Sequence, residues 1–207
     1  MFLFGLVKML PTRKSPAVAT GTDYYEQLIH QVFRPEWPVE KSGKVIAIAP
    51  ASAGAGASTV ANEIGQELAS HGDRKTLVIT AEKLLSIEMA ELKLWLRGCA
   101  KPEGGLVVFD ADPGKTRTTG GRQECLKTLR DHFDYILVDF QSSKMSGGIP
   151  VLAEMTDGFV MVVAGGETRR EDVERSRRLI ETVGGKILGL VLNKRRYPVP
   201  DWLYKKM

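Results

Sequence analysis

Residues 45–62 decide the fold of this chain, and they read Val-Ile-Ala-Ile-Ala-Pro-Ala-Ser-Ala-Gly-Ala-Gly-Ala-Ser-Thr-Val-Ala-Asn. The apolar run Val45–Ala49 predicts a buried strand, and the small residues after it predict a tight loop. Ser58 and Thr59 then begin a helix. A strand, a glycine-rich loop and a helix in this order form the layout of a phosphate-binding loop, where backbone N–H groups and the helix N-terminus favour an anion.

One position of this loop lacks the charge that its pattern requires. The pattern G-x-x-x-x-G-K-[ST] has a lysine directly before the serine, and Ala57 stands there. An ammonium on a phosphate contributes roughly 1.5–3 kcal/mol, so its loss would weaken nucleotide binding about ten- to a hundredfold. The backbone N–H groups from Gly54 to Thr59 would remain. Catalysis would lose more than binding, because the transferred phosphoryl group relies on positioned positive charge.

Other cations could take the place of this lysine. Lys115 lies in a Gly-Lys-Thr sequence, but without the preceding glycine spacing a surface turn is the favoured interpretation. Arg169 and Arg170 follow a predicted strand and could face a ligand, although a solvated helix start is the simpler interpretation.

The composition is that of one soluble domain. The chain has 207 residues, of which 43% are hydrophobic and 26% charged. Cys99 and Cys125 offer neither metal spacing nor a disulfide framework. The net charge is +4, but the charges are interleaved and no base-reading motif accompanies them, which argues against nucleic-acid binding.

Residues 1–10 form a strongly apolar segment, and a linker follows up to residue 21, so we predict a domain over residues 22–207. As a helix these ten residues would span about 15 Å, half of the roughly 30 Å hydrocarbon core of a bilayer. They are interpreted either as an interfacial anchor or as a segment that docks on a partner or on the domain itself. The side chains predicted to contact a membrane or partner are Phe2, Leu3, Phe4, Leu6 and Trp202.

Apolar runs and helical patterns alternate through the rest of the chain. Strands are predicted over residues 45–49, 75–80, 106–109, 135–138, 158–163 and 186–192. Helices are predicted over 22–32, 58–70, 83–97, 122–133 and 168–183, with a loop at 140–150 and a helical turn at 152–155. The predicted fold class is an α/β fold, an open, mostly parallel sheet with helices on both faces, like that of P-loop nucleoside triphosphatases (NTPases). Ligands of such sheets bind outside the carboxyl ends of the strands.

Several stretches together resemble the cytoplasmic P-loop domain of bacterial tyrosine kinases and their exopolysaccharide-cluster relatives, within the MinD/ParA-type ATPases. The resemblance covers residues 22–207. It is carried by Ala51–Val60, Phe133–Asp139, Thr156–Val163, Gly166–Arg170, Gly189–Asn193 and Arg195–Tyr204.

The resemblance implies a cytoplasmic ATP-binding domain that works with a membrane polysaccharide co-polymerase. Active members hold Mg-ATP and phosphorylate a tyrosine-rich tail. The nucleotide-binding positions implied here are Gly54, Gly56, Ala57, Ser58, Thr59, Asp139 and Asn193. Ser58 would ligate magnesium, Asp139 would hold it through water, and Asn193 would contact a base edge. Without a ligand, Ser58 would be a helix N-cap and Asp139 a polar strand end.

The chain departs from this family at several further positions. Residues 80–82 read Thr-Ala-Glu where the family has Asp-Ala-Asp, and Phe140 and Gln141 replace a proline-rich turn. The tail has only two tyrosines. Ile29 and Val32 occupy the arginine positions of the ring-assembly pattern.

The combined departures predict a catalytically degenerate member, a regulatory or scaffolding subunit of exopolysaccharide biosynthesis that is peripheral at the inner membrane. No cofactor is expected, but Mg-ATP or Mg-ADP would be the ligand if binding is retained. A membrane co-polymerase and possible homo-oligomerisation are the expected interactions. The alternatives are an active tyrosine autokinase or ATPase with a non-standard loop, and a ParA-like positioning protein. The latter is disfavoured because Ser52 occupies the position of its signature lysine.

Overall fold

The structure is a computed structural model that describes residues 6–7, 42–70, 74–98, 105–109, 121–141 and 145–194. The strands are β1 (Leu6–Val7), β2 (Lys44–Pro50), β3 (Thr76–Thr80), β4 (Leu106–Phe109), β5 (Tyr135–Asp139), β6 (Gly158–Ala164) and β7 (Ile187–Asn193). The helices are α1 (Ala57–Ser70), α2 (Ala81–Ser86), α3 (Met89–Gly98), α4 (Arg122–His132), α5 (Met145–Met155) and α6 (Arg170–Thr182). The helix predicted over residues 22–32 lies outside the described residues.

The described strands form one open sheet in the order β1-β7-β6-β2-β5-β3-β4, and every neighbouring pair is parallel. The predicted fold class is therefore confirmed. Because the strands are parallel, their carboxyl ends meet at one edge. Asp139 at the end of β5 is the register partner of Ile48 in β2 and of Thr80 in β3, so the loop after β2 and the ends of both neighbours lie together.

Helices cover both faces of the sheet, as the near-continuous apolar strands require. On one face α1 packs its stripe of Val60, Ile64 and Leu68 against β2, β3 and β5. Helices α2 to α6 cover the other face. Their buried contributions to that core include Leu84, Leu92, Leu129, Leu152 and Ile180. Each such side chain stabilises the fold by roughly 1.5–3 kcal/mol relative to exposure.

The single helix predicted over residues 83–97 is wrong, because the chain forms α2 and α3 with a break between them. Ile87 ends α2 in an extended conformation and is buried in the core. The hydroxyl of Ser86 donates to the carbonyl of Lys83, which offers the backbone an alternative to helix continuation. Tertiary burial of Ile87 thus overrides the loose helical pattern.

The loop predicted over residues 140–150 is also wrong in its second half, since α5 begins at Met145 and includes Pro150. Burial of Ile149, Leu152 and Met155 along one side of α5 stabilises the helix. Gly148 does not mark a turn here. A Cβ at Gly148 would lie 3.1 Å from the ring of the buried Phe140, so the missing side chain permits close packing.

The N-terminal segment contributes to the same sheet as the predicted domain. Leu6 and Val7 pair in parallel with Leu190 and Val191 of β7. Two residues of the segment therefore dock on the domain itself, in line with one of the predicted interpretations of residues 1–10.

Candidate phosphate-binding site

The loop between β2 and α1 turns on two glycines with positive φ, Gly54 at 74° and Gly56 at 87°. Residues with a side chain rarely adopt this conformation. The Ala55 N–H donates to the Ser52 carbonyl at 3.2 Å, and the Val60 N–H donates to the Gly56 carbonyl at 3.0 Å. The N–H groups before Val60 in the first turn have no carbonyl acceptor within the helix, so they are available to an anion bound at the loop.

Asn193 braces this loop from the end of β7. Its Nδ2 donates to the Ala55 carbonyl at 2.9 Å, and its Oδ1 accepts the Lys194 N–H at 2.8 Å. A Cβ at Gly56 would overlap with Asn193 Nδ2, so glycine is required there by contact as well as by φ. The nitrogen and the oxygen of this side-chain amide are therefore both hydrogen-bonded to backbone groups. Contact of Asn193 with a base stays a prediction.

Two more side chains that the sequence analysis did not single out hold the start of the loop. Ser176 of α6 donates to the Ala51 carbonyl at 3.2 Å. The hydroxyls of Ser52 and Thr168 are 2.7 Å apart, and Thr168 also accepts the Ala164 N–H at 2.9 Å. Both braces depend on β6 lying beside β2, so only the strand order could have revealed them. The loop shape is thus fixed by contacts within the protein.

The structure brings Ser58 and Asp139 together, as predicted for a magnesium-nucleotide site. Ser58 is hydrogen-bonded to the Asp139 carboxylate, which is only 7% exposed. Burial raises the pKa of Asp139 above its ordinary value, and the hydrogen bond from Ser58 opposes this shift. The buried Oδ1 has no hydrogen-bond partner among the described residues. A hydroxyl and a carboxylate oxygen without a partner fit the hard-cation preference of Mg²⁺, which usually joins one or two carboxylates to substrate phosphates.

Ala57, at the position of the missing lysine, is part of the core. It is 5% exposed and belongs to the apolar cluster that also contains Val60 and Ile64. Its methyl group therefore contributes to packing at the base of the loop and supplies no charge.

Residues 80–82, which stand where the family has Asp-Ala-Asp, form the start of helix α2. Thr80 Oγ1 accepts the Lys83 N–H at 3.3 Å, so Thr80 is the N-cap of α2. Ala81 is buried and Glu82 is exposed. The residue that aligns with the family's first aspartate therefore caps a helix.

Several basic residues could in principle replace the lysine that is missing from the loop. Arg169 and Arg170 are exposed at the start of α6, in the same connection as Thr168. Lys115 lies outside the described residues. Lys83 is buried, but its ammonium pairs with Glu91 and lies 5.3 Å from the centre of the Phe109 ring. Phe109 is in β4, which is separated from β2 and its loop by β5 and β3. This buried lysine therefore does not replace the lysine missing from the loop.

The structure describes only some of the residues predicted to contact a membrane or partner. Phe2, Leu3, Phe4 and Trp202 lie outside the described residues, whereas Leu6 is in β1. In the ranges that the structure describes, no helix is both long and apolar enough to cross a bilayer. Those ranges also contain no cluster of three or more histidine, cysteine, aspartate or glutamate side chains suited to a metal.

Curated proteins with similar sequences are bacterial tyrosine kinases. Tyrosine-protein kinase CpsD of Streptococcus agalactiae is 27% identical over 176 residues, which cover 74% of this chain and 76% of the relative. CpsD of Streptococcus pneumoniae is 25% identical over 173 residues, which cover 73% and 76%. No protein-family profile matches the chain.

Solved structures with the same fold include the chimerical protein CapA2B2, with a TM-score of 0.68 at 19% identity over 94% of this chain and 96% of that chain. The kinase domain of Escherichia coli tyrosine kinase ETK gives 0.61 at 16% identity over 95% and 94%. A ParA family ATPase from Chlorobium tepidum gives 0.58 at 17% identity over 80% and 79%. The predicted resemblance to the P-loop domain of bacterial tyrosine kinases is confirmed.

Proposed function

We propose that this tyrosine-kinase-like protein is a catalytically degenerate P-loop subunit with a regulatory or scaffolding role in exopolysaccharide biosynthesis, at the cytoplasmic face of the membrane. Its partners would be a membrane polysaccharide co-polymerase and further copies of itself. The similarity to the bacterial tyrosine kinases CpsD, together with the resemblance to exopolysaccharide-cluster proteins, supports the pathway. The chemistry of the loop supports the loss of turnover.

The observation that carries the proposal is the contrast between the shape of the loop and its charge. Gly54 and Gly56 keep the turn. The first-turn N–H groups of α1 before Val60 have no carbonyl acceptor within the helix and are available to an anion. The buried methyl group of Ala57 stands where the lysine would be. Phosphoryl transfer relies on positive charge held at the transferred group, so a loop with this shape and without this charge favours binding or packing over turnover.

A second candidate, a nucleotide-binding or active kinase, is favoured by one observation. Asp139 and Ser58 keep the arrangement that would hold Mg²⁺, and Asp139 Oδ1 is buried without a partner in the described structure. If Mg-ATP or Mg-ADP binds, the metal would be held by Ser58 and, through water, by Asp139. The metal would supply charge neutralisation to the phosphates, and the N–H groups of α1 would orient them.

Calorimetry with ATP and with ADP, in the presence and absence of Mg²⁺, separates these candidates when it is combined with an assay of phosphate release. The proposal expects no phosphate release and binding that is weak or undetectable. Micromolar, magnesium-dependent binding with phosphate release would overturn it in favour of the enzyme.

The substitution Ala57→Lys tests whether the rest of the site is competent. We expect Mg-ATP to bind about ten- to a hundredfold more tightly, since an ammonium on a phosphate contributes roughly 1.5–3 kcal/mol. Calorimetry measures the change. Ala57→Met is the matched control, because it adds a similar length at the same position without charge and should not strengthen binding. Equal affinities of the two variants would show that the site no longer places a phosphate near residue 57.

A further inference from the structure

The ends of β6 and β7 hold the phosphate-binding loop from two sides. Ala164 and Asn193 are register partners at the ends of these neighbouring strands. After β6, the hydroxyl of Thr168 lies 2.7 Å from that of Ser52. At the end of β7, the Asn193 amide donates to the Ala55 carbonyl at 2.9 Å. The loop segment from Ser52 to Ala55 is therefore clamped by residues that follow or end two adjacent strands.

An ion pair joins the two sides of this clamp. Lys194 directly follows Asn193, and Glu167 directly precedes Thr168. The Lys194 ammonium lies 3.4 Å from the Glu167 carboxylate, and the two side chains are 35% and 52% exposed. A long ion pair that is this exposed contributes little to stability. Glu167 therefore holds the ammonium only weakly, beside the loop.

The backbone of Lys194 is in a conformation that is costly for a lysine. Its φ is 55°, and in the described part of the chain it is the only residue other than glycine with a positive φ. Glycine adopts this conformation without steric cost, whereas a Cβ makes it unfavourable. Asn193 Oδ1 accepts the Lys194 N–H, so the side chain that braces the loop also fixes this turn. Glycine would suit the turn better, so backbone conformation does not account for a lysine at this position.

The ammonium of Lys194 can reach a group that is held at the loop. A Cβ at Gly56 would lie 3.6 Å from Asn193 Cγ, so the loop and the end of β7 are in contact. Lys194 is the next residue, with its Cα roughly 3.8 Å further along the chain. A lysine ammonium stands on a flexible four-carbon stem, about 6 Å from its Cα. Rotation of this stem would move the charge from Glu167 to an anion bonded by the first-turn N–H groups of α1.

A buried carboxylate indicates what else the ligand carries. Asp139 is 7% exposed, its Oδ1 has no hydrogen-bond partner among the described residues, and Ser58 of the first turn of α1 is bonded to the same carboxylate. Mg²⁺ typically joins such oxygens to phosphate groups. Both polar atoms of the Asn193 amide are already bonded to the backbone, so this amide is not free for a base. A magnesium-bound diphosphate contains the parts that this site can recognise.

The charges around the loop nearly balance, so the position of one ammonium matters more than the net charge. Among the described residues near the loop, the cations are Arg169, Arg170 and Lys194, and the carboxylates are Glu82, Asp139, Glu167 and Glu171. Arg169 also adjoins a residue that contacts the loop, but its backbone is extended at φ −77° and ψ 150°, which is ordinary for the N-cap of α6. Arg169 is therefore the competing cation, and it needs its own variant.

We infer that Lys194 supplies to the phosphate-binding loop the positive charge that Ala57 lacks, by exchanging Glu167 for a magnesium-bound diphosphate group. The inference rests on the proposed function, in which the loop keeps its shape without turnover. It adds the residue that binds the anion and the chemical class of the ligand.

Calorimetry of the full chain with magnesium pyrophosphate tests the inference. Lys194→Met should weaken binding by about tenfold, since it removes a charge-assisted hydrogen bond. Lys186→Met makes the same charge change before β7, at the other end of that strand, and should stay within about twofold of the parent chain because distant exposed charges are screened. Arg169→Met should have a smaller effect than Lys194→Met.

The substitution Glu167→Gln should act in the opposite direction. It frees the ammonium and should strengthen binding by up to about fivefold, the range of an exposed ion pair. Glu154→Gln is its matched control. Glu154 is exposed near the end of α5, and its loss should change binding by no more than about twofold.

The substitution Lys194→Gly separates binding from stability. It removes the charge together with the cost of the positive φ, so it should weaken binding as Lys194→Met does. Its melting temperature should equal that of the parent chain or exceed it by up to about 4 °C. A lower melting temperature with unchanged affinity would assign Lys194 a structural role instead.

Four results would overturn the inference. These are no saturable binding of magnesium pyrophosphate by the parent chain, unchanged affinity of Lys194→Met, an equal loss from Arg169→Met, and weaker binding by Glu167→Gln. In the first case the inference fails while the degenerate-site proposal stands. Release of phosphate from ATP would overturn that proposal and leave the comparison of these variants intact, so the two failures can be told apart.

Discussion

At the scale of single residues, the loop shows how one contact can fix a residue type. Gly54 and Gly56 both have positive φ, but only Gly56 lies against another side chain. The amide of Asn193 fills the space that a Cβ at Gly56 would need. Backbone conformation and tertiary contact therefore both require glycine at residue 56, whereas backbone conformation alone favours it at residue 54.

Gly56→Ala should destabilise the protein more than Gly54→Ala. Gly54→Ala meets only the cost of the left-handed conformation, about 1–2 kcal/mol, because nothing lies within 4 Å of its Cβ. Gly56→Ala adds the overlap with Asn193. Urea unfolding of both variants measures the difference. The double variant Gly56→Ala/Asn193→Ala should cost less than the sum of its parts, since it removes the overlap. Equal costs for the two single variants would contradict the contact.

Asn193→Ala should cost about 1–3 kcal/mol of unfolding free energy, because it leaves the Ala55 carbonyl and the Lys194 N–H without their partner. Asn62→Ala is the control. The Asn62 amide donates to the Ser58 carbonyl on the exposed surface of α1, so its loss should stay within about 0.5 kcal/mol. If both changes cost the same, Asn193 does not brace the loop.

Asp139 predicts a pH dependence whose sign follows from its burial. Its pKa is raised in the folded protein, so the folded state holds the proton more tightly than the unfolded chain does. The stability that it contributes is complete below the unfolded pKa and is lost as the pH rises through the folded one. Asp139→Asn should therefore raise the unfolding free energy at pH 7, and the gain should shrink as the pH approaches 4. Urea unfolding across this range measures it, and a gain that does not change with pH would exclude the carboxylate as its source.

At the scale of elements, the first turn of α2 shows that a departure from a family pattern can have a structural role. Thr80 ends β3 and caps α2 at once, in register with Asp139 on the neighbouring strand. The cap fixes where the strand stops and the helix begins. The missing aspartate is therefore compatible with an intact strand–helix connection beside the phosphate-binding loop.

Thr80→Ala should cost about 0.5–2 kcal/mol, the usual effect of losing an N-cap side chain. Thermal or urea unfolding measures it. Thr80→Asp is the matched variant, because its carboxylate can still accept the Lys83 N–H and also restores the family's residue. We expect it to be more stable than Thr80→Ala but less stable than the parent chain, because its carboxylate lies in register with Asp139 and is repelled by it. No loss from Thr80→Ala would show that the hydroxyl does not act as a cap.

At the scale of the whole molecule, distant parts of the chain meet at Arg130 and Asp157. The Arg130 guanidinium donates to the Gly43 carbonyl at 2.6 Å and to both carboxylate oxygens of Asp157, at 3.0 and 3.1 Å. Asp157 Oδ2 also accepts the Val45 N–H at 2.7 Å. These bonds join α4 to the beginning of β2 and of β6, so they tie the centre of the sheet to the helical layer.

Arg130→Met and Asp157→Ala should each destabilise the fold by about 1–2 kcal/mol after allowance for their partial exposure, and their effects should not add. A double-mutant cycle by urea unfolding should give a coupling of about 0.5–3 kcal/mol. The exposed pair Arg175 and Asp172, 3.5 Å apart on α6, is the control and should couple by no more than about 0.5 kcal/mol. If the effects of the Arg130 and Asp157 substitutions add, the two side chains do not stabilise the fold through their ion pair.

The sequence by itself determined the parallel α/β fold and its loop, because these depend on local patterns. The apolar run of β2, the small loop residues and the apolar stripe of α1 all lie within about twenty residues of one another. The sequence also shows directly that Ala57 stands at the position of the lysine. Only the tertiary structure decided which groups meet that loop. Thr168 and Ser176 reach it because β6 lies beside β2, and Asn193 reaches it because β7 lies beside β6. The break at Ile87 and the helix at residues 145–155 were likewise decided by burial, since a buried side chain can outweigh a local preference of a few tenths of a kcal/mol per residue.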